Sequence, residues 1–244
     1  MSIEIKVHSL KKRMGKTQAL DGVSVDFSQV LMHGVIGPEG AGKTTLFRHL
    51  AGLLTPNSGS IEYFEGLQKV DFSTLRPWIG YMPQQQSLYP DLSIHEHLDF
   101  FKELYGLSPD EYHQKRERLL SITQLAPFVD RPAGKLSGGM YKKLGLMCAL
   151  LSSPKVLLLD EPTNGVDPIS RREFWEMLHQ LEGEGILVIV ATAYMDEAER
   201  CAHVHLLNEG KLIGSGEPKQ LLKENQVRNF DEYFLKHAED VHHV

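Results

Sequence analysis

The sequence predicts an α/β fold on three observations. A mainly apolar run at 31–36 stops at Gly37 and passes through a glycine-rich turn into a stretch of helical periodicity. A second apolar run, Val156-Leu157-Leu158-Leu159, ends in the paired acids Asp160 and Glu161. Between them, apolar residues over 92–133 recur at helical spacing, so a helical lobe interrupts the α/β core.

The elements follow in order. Residues 3–7 (IEIKV) and 23–27 (VSVDF) alternate apolar and polar side chains, as half-buried strands do. The strand at 31–36 comes next, then a helix over 44–53 that is ended by Thr55-Pro56-Asn57-Ser58-Gly59. Short strands are expected at 60–63 and 78–82. In the helical lobe, Ile94, Leu98, Phe101 and Leu104 mark one helix, and Leu119, Ile122 and Leu125 a second. Ser108 and Pro109 stand as cap and first-turn proline of that second helix. Strands return at 156–159 and 186–192, with a helix over 170–182 between them and another near 196–201. A hairpin over 204–207 and 211–214 turns around Asn208-Glu209-Gly210, and Phe230, Tyr233 and Phe234 give the tail a docked helix.

The totals bound the function. The 244 residues can bury a substantial core, as one large domain or as a core with a smaller lobe. A net charge of -6 argues against a dedicated nucleic-acid binder. Cys148 and Cys201 read as free thiols in a reducing compartment. The start lacks a signal-peptide core, and no apolar run is long enough to span a bilayer. The expectation is a cytoplasmic protein whose membrane role, if any, needs other subunits. None of the 12 histidines has zinc-ligand spacing, and His242 and His243 read as a solvated tail.

The turn after 31–36, GPEGAGKTT at 37–45, fits GxxxxGK[ST] in the strand–turn–helix setting that the motif requires. Glycines let the backbone curl so that its N–H groups face an anion, and the following helix adds its own N-terminal N–H groups. Lys43 can reach the β- and γ-phosphates of a nucleotide, Thr44 can ligate Mg²⁺, and Thr45 is placed at the α-phosphate. The acids closing the second run are costly to bury unless something positive compensates them. Asp160 can hold Mg²⁺ through water and Glu161 can polarise an attacking water, which together favour nucleotide hydrolysis.

Two further stretches exceed what a phosphate loop requires: LSGGM at 136–140 and YMPQ at 81–84. With them the chain resembles the ATP-binding cassette (ABC) family, the ATPase subunits of ABC transporters, from about residue 3 to 216. GPEGAGKTT resembles the Walker A loop, the run ending DE the Walker B strand, and YMPQ the Q-loop with Gln84 as its glutamine. LSGGM resembles the LSGGQ signature with Met140 in place of glutamine, and Asn164-Gly165-Val166-Asp167 the D-loop.

The resemblance implies a P-loop NTPase of the ABC type: a mixed sheet core, an N-terminal antiparallel β subdomain and an inserted helical subdomain. Domain organisation would be one nucleotide-binding unit over 1–244, with the helical subdomain at about 88–150 and a helical tail at 217–244. ATP and Mg²⁺ would be the ligands. Lys43, Gln84 and Glu161 would be catalytic, and Thr44, Gln84 and Asp160 would hold the metal. Gly37, Glu39, Gly40, Ala41, Gly42, Lys43, Thr44 and Thr45 would bind the nucleotide. Ser137, Gly138 and Gly139 would bind ATP held by a second cassette, stacked head-to-tail. Membrane permeases would be the other partners, carrying a small-molecule cargo, with Leu88 and Tyr89 as contact candidates and no nucleic acid expected. The chain would then sit peripherally on the cytoplasmic face of the membrane.

Two positions depart from the family pattern. IVATAYMDEA at 189–198 matches the switch segment, but Ala193 stands where the family carries a histidine that contacts the γ-phosphate. Alanine has no hydrogen-bonding side chain, and His203 and His205 lie too far along to replace it by a register shift. Met14 stands where an aromatic ring commonly stacks on adenine; it keeps contact but loses the ring-on-ring component. Either the chain is a homodimer that tolerates both changes, or it is half of an asymmetric pair with an impaired site of its own. The second is favoured, because the motifs together look like the first cassette of bacterial tandem-cassette exporter ATPases. Two other readings compete: a soluble cassette ATPase acting on ribosomes or nucleic acid, and a nucleotide-binding regulatory module with little turnover.

Overall fold

The computed structural model describes residues 2–28, 32–85 and 87–241, so the strand start at Leu31 and the tail residues His242 and His243 lie outside the described residues. In chain order the elements are β1 (Ile3–Met14), β2 (Thr17–Phe27), β3 (Met32–Ile36), α1 (Lys43–Leu50), β4 (Ser58–Glu65), β5 (Gln68–Val70), α2 (Phe72–Leu75) and β6 (Ile79–Met82). There follow α3 (Ile94–Tyr105), α4 (Pro109–Thr123), α5 (Gly138–Leu150), β7 (Val156–Asp160), α6 (Pro168–Glu182) and β8 (Leu187–Thr192). The chain closes with β9 (His203–Asn208), β10 (Lys211–Gly216), α7 (Pro218–Glu224) and α8 (Phe230–Val241).

The described strands form two sheets. One is antiparallel in the order β2-β1-β4-β5, and the other is mixed in the order β10-β9-β3-β8-β7-β6. In the mixed sheet only the β9–β10 hairpin is antiparallel; β9, β3, β8, β7 and β6 all run parallel. Parallel strands covered on both faces need apolar side chains on both, which is why β7 and β8 read as unbroken apolar runs. Val156, Leu158, Leu187 and Ile189 pack toward α1 and the antiparallel sheet, in the core built around Leu46, Phe47 and Leu50. Leu157, Leu159, Val188 and Val190 face the opposite way, into a core shared with α3, α5, α6 and α8.

Local signals explain the helices of the lobe. Ser93 and Ser108 each begin a capping box, exchanging hydrogen bonds with Glu96 and Glu111 three residues on, and Pro109 occupies the first turn of α4. Several elements differ from the sequence reading. β1 runs on to Met14 instead of stopping at Val7, because a bulge at Ser9 (φ 46°) breaks the alternation without ending the strand. Trp78 belongs to a 3₁₀ turn before β6, and the switch segment after β8 is 3₁₀ over Met195–Arg200 rather than α-helical. β5 and α2 were not legible, and the tail holds two helices, α7 and α8, instead of one. Among the described residues no helix is long and apolar enough to cross a membrane.

Candidate nucleotide site

Parallel strands bring their carboxyl ends to one edge of the sheet, where α/β folds place their ligands. Ile36 pairs with Thr192, Asp160 with Ala191, and Met82 with Leu159, so the loops after β3, β8, β7 and β6 emerge side by side. The loop after β3 is the glycine-rich turn. Gly37 is required there because a β-carbon would come within 2.0 Å of the Leu207 carbonyl oxygen. Gly42 is required because φ is +105° and a β-carbon would meet the Ala19 oxygen at 2.5 Å. The curled loop hands over to α1, whose first N–H groups have no partners within the helix and open onto the same space.

That space is a cleft of about 360 Å³ lined by the loop from Glu39 to Thr45, together with Thr17, Ala19, Gln84 and Glu161. Lys43 is buried, and its ammonium donates to the carbonyl oxygens of Gly37 (2.7 Å) and Pro38 (2.9 Å). It also forms an ion pair with Glu161 Oε1 at 3.3 Å. Thr44 Oγ1 lies 3.1 Å from Asp160 Oδ1 and 3.4 Å from Gln84 Oε1. Gln84 Nε2 donates to Glu161 Oε2 at 2.8 Å. Three separate chain segments thus deliver one connected polar cluster.

Burial pushes the Asp160 carboxyl up to about 6, against the pull of the Thr44 hydroxyl, and the neighbouring Glu161 carboxylate adds to the rise. A buried acid so placed is short of positive charge. Thr44, Gln84 and Asp160 together offer hydroxyl, amide and carboxylate oxygens, the hard donor set that suits Mg²⁺. Tyr81 donates to Asp160 Oδ2 at 3.4 Å, and burial with the nearby carboxylate raises its phenol to about 12.

Glu161 has an unusual backbone. Its φ of 49° is in the left-handed region, a conformation that costs a non-glycine residue of order 1–3 kcal/mol and persists only where the surroundings hold it. Here the Glu161 N–H donates to Ala191 O (2.9 Å), and its side chain also accepts from Asn164 Nδ2 (3.1 Å).

The other expected residues fall in three places. Gly37 does not line the cleft but supplies the carbonyl under Lys43. Met14 is 44% exposed at the end of β1 and is not among the lining residues, whereas Thr17 and Ala19 across the hairpin are. Ser137, Gly138 and Gly139 open α5 away from the cleft, with Ser137 exposed and capping the helix by accepting from Met140 N–H. Ala193 lines a second cavity of about 100 Å³, with Glu39, Glu161, Asn164, Thr192 and Tyr194. His203 and His205 lie elsewhere on β9, where His205 Nε2 is 3.2 Å from His33 Nδ1. In the lobe, Leu88 is partly buried against the core, while Tyr89 is 55% exposed with its ring edge-on to Phe100.

Sequence reasoning missed Glu197. It is wholly buried and accepts from Thr163 Oγ1 (2.8 Å), Trp175 Nε1 (2.8 Å) and Thr192 Oγ1 (2.6 Å). This one carboxylate ties the loop after β7 to the end of β8 and to α6. Its setting in MDEAER looks like an exposed helix start, and only the fold turns it inward.

The fold and the polar cluster define a P-loop nucleotide-binding domain. Comparison with known proteins takes this further: the ABC transporter family matches residues 20–164. The chain is 52% identical over 197 residues to the probable multidrug ABC transporter ATP-binding protein YbhF of Escherichia coli K12, a match that covers 81% of this chain and 34% of that protein. It is 34% identical over 219 residues to the Nod factor export ATP-binding protein I of Ralstonia nicotianae, covering 89% of this chain and 68% of that one. Among solved structures, the ATP-binding subunit of an ABC transporter superposes with a TM-score of 0.81 at 26% identity, over 95% of this chain and 98% of that one. The cbiO1 protein of Clostridium perfringens gives a TM-score of 0.79 at 31% identity, over 91% of each chain. The chain belongs to the ABC transporter family, as an ATP-binding domain with the family's α/β P-loop fold and helical subdomain. ATP with Mg²⁺ as ligand and ATP hydrolysis as activity are typical of such domains. The chain spans about a third of the length of the first of these relatives.

Proposed function

We propose that this chain is one cassette of an ATP-driven exporter, working through separate membrane permeases on a small-molecule cargo at the cytoplasmic face of the membrane. The observation that carries the reading is the convergence of Lys43, Thr44, Gln84, Asp160 and Glu161 on one cleft. In this reading Lys43 and the loop from Gly37 to Thr45 grip the triphosphate. Thr44, Gln84 and Asp160 would hold Mg²⁺, which would supply positive charge to offset that of the phosphates. Glu161 orients and polarises the attacking water, assisted by Gln84. Met14 lies against the base as a soft apolar contact.

Ser137 and Gly138, exposed at the start of α5 with Gly139 buried behind them, close the nucleotide site of a second cassette. The match to 34% of YbhF leaves length in such a protein for another cassette, which supports a tandem, non-identical pair. The domain would comprise the whole chain, with 88–150 as its helical lobe and 217–244 as its tail. Tyr89, exposed beside Phe100, is the better of the two permease-contact candidates. The site's own turnover is impaired, because Ala193 lines the cavity beside Glu161 with nothing but a methyl group. That feature also favours a second reading, a cassette that binds ATP mainly to regulate its partner.

Inside-out vesicles carrying the full-length protein and its permeases test the export reading. Cargo accumulation should require Mg-ATP and collapse on Ser137→Arg, which places a charge where the second cassette docks. Accumulation without ATP, or unaltered by that substitution, would overturn it.

A further inference from the structure

Glu161 holds a left-handed backbone that glycine would adopt freely and glutamate does not. Its carbonyl oxygen accepts two hydrogen bonds, from Asn164 N–H at 3.3 Å and from Lys142 Nζ at 3.2 Å. The first is a local turn within the same loop. The second comes from α5, a different element, across a gap of 19 residues. Lys142 is half-buried there rather than extended into water, although lysine ordinarily keeps its ammonium solvated. Burial lowers its affinity for the proton, while the nearby carboxylates of Glu161 and Asp160 act to retain it.

We propose that Lys142 is a positioning residue for Glu161. Its ammonium fixes the Glu161 carbonyl and supplies a second positive charge to the paired acids. The geometry gives it a task that Lys43 cannot perform throughout. Lys43 now lies on Glu161 Oε1, but a bound triphosphate competes for that ammonium. When Lys43 turns to phosphate, Lys142 keeps the same hold on the main chain, and the carboxylate stays aimed beside the cavity lined by Asn164, Thr192 and Ala193. The inference rests on the reading of Glu161 as the group that orients the attacking water.

The test compares Lys142→Met, Lys142→Arg and Lys142→Gln with the parent in the full-length protein, alongside Lys43→Ala. Three quantities are measured: ATP turnover with its kcat and KM separated, equilibrium ATP binding, and amide exchange over residues 160–164 without nucleotide. Lys142→Met should lower kcat at least tenfold, with KM and ATP binding within twofold, and should speed exchange over 160–164 at least tenfold. Lys142→Arg should restore most of both. Lys142→Gln, which keeps a donor and loses the charge, should fall between. A merely structural lysine would lower thermal stability without separating kcat from KM.

Parent-like turnover and exchange in Lys142→Met, while Lys43→Ala still weakens ATP binding at least 100-fold, would sink the inference and leave the site reading intact. Unchanged ATP binding in Lys43→Ala would instead strike the site reading itself. If Lys142→Met does not fold, the Arg and Gln variants decide: parent-like exchange and kcat in Gln would refute the need for a charge.

Discussion

Lys43 Nζ and Glu161 Oε1 lie 3.3 Å apart, both side chains almost wholly buried, at the floor of the nucleotide cleft. In the proposed reading, the anion that directs water toward the γ-phosphate therefore holds the cation that receives the phosphate. A triphosphate has to displace Glu161 from Lys43, and breaking a buried pair is costly. Neutralising the acid removes that competition. Glu161→Gln should bind ATP roughly 10-fold more tightly, about 1.4 kcal/mol, while turnover falls on the order of 100-fold or more. Titration with a fluorescent ATP analogue and a phosphate-release assay check both halves. Weaker binding in Glu161→Gln would contradict the competition.

Asp160 supplies a pH signature. Its carboxyl rises from an ordinary value of 3.8 to about 6, with burial as the main cause. The folded protein then holds a proton that the unfolded chain has lost between about pH 4 and 6. This group's contribution to stability is therefore favourable at low pH and lost as pH rises through 6. At pH 7.5, without metal or nucleotide, Asp160→Asn should be more stable than the parent by on the order of 2 kcal/mol, and the advantage should vanish near pH 4. Thermal melts in a chelator across that range give the answer. An advantage that grows as pH falls would have the wrong sign.

Ala193 leaves room beside Glu161. The cavity of about 100 Å³ admits a larger side chain, and Glu161 is among the residues that line it. Ala193→His should raise ATP turnover several-fold in the assembled pair, with ATP affinity changed little. Steady-state kinetics check it, and a fall in kcat with the fold retained would count against an impaired site.

Glu197 gives the strongest stability prediction. Removing its carboxylate strands the Thr163 and Thr192 hydroxyls and the Trp175 indole N–H in a fully buried setting. Unpaired buried donors cost about 1–3 kcal/mol each before relaxation. Glu197→Ala should lose about 3–5 kcal/mol in urea unfolding, and Glu197→Gln, which keeps one acceptor, clearly less.

Much of this site was legible because its chemistry is local. The glycines at 37, 40 and 42, Lys43 and Thr44 fall within one stretch of eight residues, and an apolar run ending in Asp160-Glu161 announces a buried strand that delivers acids. The caps at Ser108 and Pro109 were readable for the same reason. What escaped depends on distant partners. Lys142 and Glu197 sit in polar stretches, YKK and MDEAER, that look solvent-facing until α5 and the segment after β8 pack against the loop after β7. The short β5 and α2 have too few buried residues to show a period, and the length of β1 is hidden by its bulge. Thr17 and Ala19 reach the cleft only because β2 packs beside the phosphate loop, where a β-carbon on Gly42 would meet the Ala19 carbonyl oxygen.

Equilibrium ATP binding to the Lys43→Ala variant, with circular dichroism to verify its fold, puts the whole reading at greatest risk. Loss of the ammonium that bridges the Gly37 and Pro38 carbonyls and Glu161 should weaken ATP binding at least 100-fold, about 3 kcal/mol. A folded variant that binds ATP as the parent does would mean that the triphosphate goes elsewhere.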